Sequence, residues 1–173
     1  IADVVRARHG VPVWRVSPSV DHALYHPDLS RPDDPVVVSA MVRPKTPRRG
    51  AERTMRVLAR VERRFGRRVR VEVFGCGRRA LRSLERGFRF ESRGVLRRDE
   101  VARQLRRAHV FVDLSDYQAF GRTGIEAMAS GCAVVNPVHG GTSEYCVHGE
   151  NALLVDTRDE DACVDAIARR SSA

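Results

Sequence analysis

The sequence predicts an α/β layered domain built on a parallel sheet. Short β-branched runs alternate with helical patterns along the whole chain, the order expected of strand-helix-strand units. Two of the runs, Val110-Phe111-Val112 and Ala133-Val134-Val135, are continuously apolar, as strands covered on both faces are. The 173 residues, 42% of them apolar, suffice for one domain with a proper hydrophobic core.

Residues 1–9 read as the end of a helix begun earlier, and with Ile1 rather than Met in first place the chain reads as a piece of a longer protein. Strands are expected at 13–16, 36–41, 69–74, 110–114, 133–136 and 153–155. Between 25 and 35, Pro27, Pro32 and Pro35 stand among aspartates and mark a linker or surface loop. Over 51–65, Met55, Leu58, Val61 and Phe65 recur at helical spacing and turn one face to a sheet, with arginines outward. The same pattern returns over 99–108 with Val101, Ala102, Leu105 and Ala108. A short helix over 124–130 stops at Gly131, and a last one over 160–170 buries Cys163, Val164 and Ile167. No internal repeat and no low-complexity segment interrupts this order.

Several classes of protein fall away on composition. No apolar run approaches the roughly 18 residues that span a bilayer, and the start does not resemble a signal peptide. Cys76, Cys132, Cys146 and Cys163 form no CxxC pair and complete no metal-ligand spacing with the six histidines, which reads as four reduced thiols and no metal. The net charge of +9 suits a polyanionic partner, and an arginine-rich nucleic-acid-binding module is one reading. Yet Lys45 is the sole lysine and the arginines run along the whole chain, so solvated helix faces are the competing and simpler account.

In an open parallel sheet, ligands sit outside the carboxyl ends of the strands, so the loops 42–50, 75–79, 115–123 and 137–143 are the places to search. The first gathers four cations, Arg43, Lys45, Arg48 and Arg49, stiffened by Pro44 and Pro47. It reads as a diphosphate clamp, because a guanidinium fork binds two phosphate oxygens at once, or as a solvated basic turn. Gly75-Cys76-Gly77 reads equally as a tight turn or as a loop whose backbone approaches a ligand. From 115 to 131 a strand passes through a loop into a helix flanked by Gly121 and Gly124, whose free N–H groups favour an anion. Glu126 is expected in the first turn of that helix, either closing a capping box with Thr123 or accepting hydrogen bonds from ribose hydroxyls. Gly140-Gly141, ahead of Thr142, Ser143 and Glu144, is a second glycine turn, either structural or open to a ligand, and His139 beside it reads as structural.

These residues, taken in order, resemble the C-terminal, donor-binding domain of the group 1 (family 4) retaining glycosyltransferases. The signature is Phe120-Gly121, Glu126-Ala127-Met128-Ala129, Gly131, a buried strand, and Gly140-Gly141 with Glu144. The segment from Gly149 to Val155 is similar to the family's closing turn and strand, and Ser17-Pro18-Ser19-Val20-Asp21 with Tyr25-His26-Pro27 to its lead-in from the first domain. The resemblance implies a Rossmann-like, doubly wound sheet forming one half of the two-domain GT-B architecture. Residues 1–12 then end a preceding domain or linker, and 13–173 form the nucleotide-sugar-binding domain.

The resemblance also implies roles. Arg43 and Arg48 fall where the family holds the donor diphosphate, Arg48 standing for the usual lysine. Gly94-Val95-Leu96 resembles the turn that meets the nucleobase, so Val95 and Leu96 join Gly75, Gly77, Phe120, Gly121, Arg122, Thr123, Gly140 and Gly141 as expected donor contacts. Glu126 becomes the ribose ligand. Gln118 stands eight positions before Glu126, where the family often has a first glutamate, and its amide brings no charge to a catalytic role there.

The implied activity is transfer of a sugar from a nucleoside-diphosphate donor to a hydroxyl of a glycan or lipid-linked acceptor, with no cofactor and no metal. The acceptor side and a further catalytic residue belong to a first domain outside this sequence, leaving the isolated domain inactive. A cytoplasmic location follows, at the inner membrane surface for the full-length protein. The run Arg43-Pro44-Lys45-Thr46-Pro47-Arg48-Arg49 resembles a rhamnosyltransferase subset using dTDP-rhamnose. A sugar-nucleotide epimerase or a phosphorylase on the same pair of domains is the alternative enzyme.

Overall fold

The computed structural model describes residues 2–14, 16–84 and 87–171. Six strands, β1 (Val36–Met41), β2 (Val69–Phe74), β3 (Glu91–Ser92), β4 (Val110–Val112), β5 (Ala133–Pro137) and β6 (Leu153–Val155), form one sheet in the order β3-β2-β1-β4-β5-β6. Every pairing is parallel. The helices are α1 (Ala2–His9), α2 (Ala51–Phe65), α3 (Arg78–Leu81), α4 (Arg98–Arg107), α5 (Arg122–Ala129) and α6 (Glu160–Ser171). The sheet is wound on both sides, because one apolar layer joins it to α2, α3 and α6 and the other to α4 and α5.

Strand alternation sets which side chain enters which layer. In β1, Val38 and Ala40 enter the α2 side, while Val37 and Ser39 face α4, where the Gln104 amide donates to the Ser39 hydroxyl at 3.2 Å. In β2, Val69, Val71 and Val73 go to the first side. Glu72 on the second is fully buried, held by the Arg93 fork at 2.7 and 3.0 Å and by Gln104 at 2.7 Å. Burial alone would raise the Glu72 carboxyl, but these bonds and the charges of Arg93 and Arg70 bring it below the usual carboxylate range.

Helix α2 starts from Gly50 in the left-handed conformation and ends at Gly66. Its outward arginines are not simply solvated. Arg56, Arg60 and Arg64, one turn apart, pair with Glu160, Asp161 and Asp165 of α6, at 2.7 Å for the first and 2.9 Å for the last. Such exposed pairs are each worth about 0–1 kcal/mol, so they orient the two helices more than they hold them.

The expected strand at 13–16 does not form. Arg15 lies outside the described residues, and Trp14 and Val16 are 80% and 90% exposed. Strands β3 and β6 already close the two ends of the sheet, and this segment pairs with neither. β3 itself escaped the sequence pattern, since two polar residues between Phe90 and Arg93 show no apolar alternation. α3 was likewise unread, because Arg78 and Arg79 dominate its four residues and only Leu81 is buried. Helix α5 begins at Arg122, two residues earlier than expected, and β4 ends at Val112. The segment 25–35 is irregular as expected, although Tyr25 within it is buried.

Glu72→Gln should cost about 3–5 kcal/mol at neutral pH by leaving Arg93 without its buried counter-charge. Because the folded-state pKa of Glu72 lies below its unfolded value, that stabilisation is full above the unfolded pKa of about 4.3 and is lost as pH falls through the folded value. Urea denaturation from neutral to acid pH should therefore show the gap between wild type and variant closing on acidification; a gap constant with pH would refute the assignment.

Candidate functional site

The strand order reverses between β1 and β4, the point at which open α/β sheets leave a crevice. The two loops that leave these strands meet there. The Asp116 N–H donates to the Arg48 carbonyl at 2.8 Å, and Arg53 directs two N–H groups to the Leu114 carbonyl at 3.1 and 2.7 Å and a third contact to Asp116 at 2.7 Å. Gly50, with φ of +57°, makes this approach possible, since a Cβ there would lie 2.7 Å from the Leu114 oxygen.

The expected clamp residues lie in the loop that leaves β1. Arg43 is exposed and Arg48 lies with its guanidinium carbon 5.4 Å from the Tyr117 ring centre, in cation–π contact. Neither has an acidic partner among the described residues, and their charges bear on Arg49. Arg49 is the half-buried member, 3.3 Å from the Asp113 carboxylate. Burial, together with the charges of Arg43 and Arg48, lowers its pKa against the opposing pull of Asp113.

Gln118 is only 4% exposed and turns inward. Its amide donates to Asp113 at 2.5 Å and to the Ser115 hydroxyl at 2.9 Å. Its backbone bridges to Gly140, and its carbonyl accepts the Gly141 N–H at 2.8 Å. The glycine pair is thus explained by backbone packing. A Cβ on Gly140 would lie 2.0 Å from the Gln118 oxygen, and one on Gly141 1.9 Å from the Ala119 oxygen.

Helix α5 opens with Gly121 as its cap, φ +82°, and no side-chain cap bond. The capping box between Thr123 and Glu126 is therefore corrected: Arg122 is already helical, Thr123 is the second helical residue, and Glu126 lies beyond the first turn. The Glu126 carboxyl is largely buried, 3.7 Å from Arg122, with Tyr25 and Arg98 also acting on it. Burial raises its pKa, and Arg122, Tyr25 and Arg98 only partly offset this. Phe120 packs 5.2 Å from the Tyr145 ring, and the Tyr145 hydroxyl donates to the Gly121 carbonyl at 2.7 Å.

The turn expected to meet a base stands at the ends of β2 and β3. The Gly75 N–H donates to the Gly94 carbonyl at 2.8 Å, joining the two loops. Gly75, at φ +103°, also packs against Met41 and the Val42 carbonyl, whereas Gly77 is open. Val95 is 75% exposed beside it, while Leu96 turns into the layer under α4. Arg98, the first residue of α4, follows this turn and pairs with Asp21 at 3.2 Å.

Asp113 is the residue sequence reasoning missed. It receives Ser115 N–H, Ser115 hydroxyl, Gln118 and Arg49, and Ser115 is in turn fixed by Thr157. Its signal was an acid placed directly after a fully buried apolar strand, at the end of the sheet where ligands collect.

A family model described as glycosyl transferases group 1 matches residues 34–172. The chain belongs to that family. Mannosylfructose-phosphate synthase of Agrobacterium fabrum is 45% identical over 56 residues, which is 32% of this chain and 12% of that protein. The C-terminal domain of a group 1 glycosyl transferase from Francisella tularensis superposes with a TM-score of 0.74 at 19% identity, covering 90% of this chain and 89% of that one. A protein of Anabaena, solved in complex with UDP and glucose, gives 0.69 at 19%, covering 88% of this chain and 47% of its own. This group 1 glycosyl transferase chain thus has the Rossmann-like fold of GT-B enzymes and spans under half of that solved protein.

Gly141→Ala and Gly140→Ala should each cost about 1–3 kcal/mol or more, because the new methyl meets immovable backbone. Gly77→Ala, with nothing within 4 Å, is the matched control and should change stability little. Chemical denaturation of the three variants decides it, and a tolerated Gly141→Ala would show that the two loops are not packed as described.

Proposed function

We propose that this domain binds the nucleoside-diphosphate sugar of a two-domain glycosyltransferase that transfers the sugar to a glycan or lipid-linked hydroxyl. The observation that carries the reading is that the loop after β1, which holds Arg43, Arg48 and Arg49, is joined to the loop between β4 and α5 through Arg48–Asp116 and Arg49–Asp113, where the strand order reverses. The diphosphate lies against these guanidiniums, near the free N–H groups that open α5. The base lies by Gly75, Gly77 and the turn at Val95, and Glu126 takes the ribose hydroxyls. As the bond to the sugar breaks, charge grows on the departing phosphate, and fixed guanidiniums stabilise it without reorganising.

Family membership supports the reaction class, and the fold shared with a protein bound to UDP and glucose supports the ligand class. The likeness to a C-terminal domain over nearly its whole length supports residues 13–173 as that domain, preceded by an acceptor-side domain in the complete enzyme. Among the described residues no helix is long and apolar enough to cross a membrane. The enzyme works in the cytoplasm, at the inner face of the membrane when its acceptor is lipid-linked. A rhamnose donor on dTDP is the first to try, given the 43–49 run.

Thermal unfolding of the chain with UDP, GDP, dTDP and ADP, and with their sugars, tests this. One nucleotide at 100 times its dissociation constant should add about 2.7 kcal/mol of stability, and Arg43→Ala should remove most of that gain. If none of the nucleotides raises the melting temperature, the donor-binding reading fails.

A further inference from the structure

We infer that a cavity at the amino end of the sheet, opposite the donor crevice, is a second ligand site and takes a small phosphomonoester of a polyol. The inference does not rest on the donor-binding reading. The donor loops leave the carboxyl ends of the strands, and a six-residue strand such as β1 or β2 puts about 20 Å between the two places.

Two unmet donors mark the cavity. Among the described residues, only Arg70 Nε and His109 Nε2 are buried side-chain polar atoms without a hydrogen-bond partner. Arg70 is the second residue of β2 and His109 stands directly ahead of β4, yet both line one cavity of about 270 Å³. The Val37 N–H donates to His109 Nδ1 at 2.9 Å, which puts the proton of the neutral ring on Nε2. Burial first, then the charge of Arg31, hold the His109 pKa below the ordinary histidine value, with the Pro32 carbonyl and Asp33 pulling the other way. The ring is therefore an uncharged donor at neutral pH. Arg70 Nε lies 2.9 Å from Glu72, but its N–H is not directed at the carboxylate. Buried donors without acceptors are costly, and an anion beside them lowers that cost.

The same wall carries more guanidinium than it can pair. Glu72 is already held by the Arg93 fork, and Arg70 and Arg107 approach the same carboxylate at 2.9 and 4.0 Å. One negative charge thus faces three positive ones, and Glu91, 2.9 Å from Arg93, answers one more. Arg70 and Arg107 keep 37% and 53% of their side chains exposed, so their outer nitrogens are open to a ligand. Arg31, by contrast, is committed to the Ala108 and Gly131 carbonyls.

These groups select the ligand. Guanidiniums from β2 and from the end of α4, with an imidazole N–H from the start of β4, come from three elements, an arrangement suited to a tetrahedral phosphate. Asp28 and Asp34 line the exposed side with Ser30. They repel a second phosphate or a carboxylate but accept hydrogen bonds from hydroxyls. The volume is several times the roughly 30 Å³ of one water, which leaves room for a short carbon skeleton beside the phosphate.

Calorimetric titration of the chain with glycerol 3-phosphate, inorganic phosphate and glycerol tests the proposal. Glycerol 3-phosphate should bind, inorganic phosphate about threefold more weakly or worse, and glycerol not at all. Arg107→Gln and His109→Asn should each weaken glycerol 3-phosphate by about fivefold or more. Asparagine keeps an acceptor for the Val37 N–H, so that variant removes the Nε2 donor while retaining the strand contact. Arg43→Ala, at the other end of the sheet, should leave the affinity within about twofold. Failure of glycerol 3-phosphate to bind wild type overturns the proposal, and so does wild-type affinity in both Arg107→Gln and His109→Asn. A loss confined to Arg43→Ala would put the probe at the donor crevice and overturn it as well. Equal affinity for inorganic phosphate would overturn the polyol assignment. None of these results depends on whether a nucleotide binds, so failure here and failure of the donor reading are separate outcomes.

Discussion

The contact between the loop after β1 and the loop after β4 is the constraint on which the rest of this site depends. Strand order reverses there, so the helices that follow, α2 and α5, leave toward opposite faces of the sheet and open a crevice between their starts. Closing the base of that crevice needs backbone against backbone, which a side chain at position 50 would prevent. Arg53 then seals it by satisfying the Leu114 carbonyl twice. The same logic recurs one strand further on, where the glycine pair at 140 and 141 lets the next loop lie directly on 118–119.

Arginine serves two opposite purposes in this chain. On α2 it faces acids of α6 in a row of exposed pairs, and behind β2 it neutralises a carboxylate that is fully buried. At the crevice Arg43 and Arg48 are left without acidic partners among the described residues. A formal charge of +9 cannot distinguish these uses. What separates them is whether a carboxylate from a distant part of the chain arrives within about 4 Å, and that depends on how the helices pack.

Much of the sheet was legible because its physics is local. The apolar runs at 110–112 and 134–135 are buried on both faces and announce themselves by composition. Trp14 and Val16 show where such reasoning fails, since a β-branched run with no neighbouring edge is only an exposed segment. β3 shows the converse, two residues recruited as a strand by β2 despite a charged sequence. At the site, spacing allowed a capping bond for Glu126, but Gly121 starts the helix early enough to move that carboxylate out of the first turn.

By itself the sequence determined the layered α/β class, the alternation of buried strands with amphipathic helices, and the glycine and arginine loops at one end of the sheet. These follow from period, composition and backbone freedom, which act over a few residues. Only the tertiary structure decided that Gln118 turns inward on Asp113, that Gly140 and Gly141 serve a neighbouring loop, and that Arg49 pairs with Asp113. Each of these depends on groups whose loops meet only once the sheet has formed, and no local pattern encodes the distance between them.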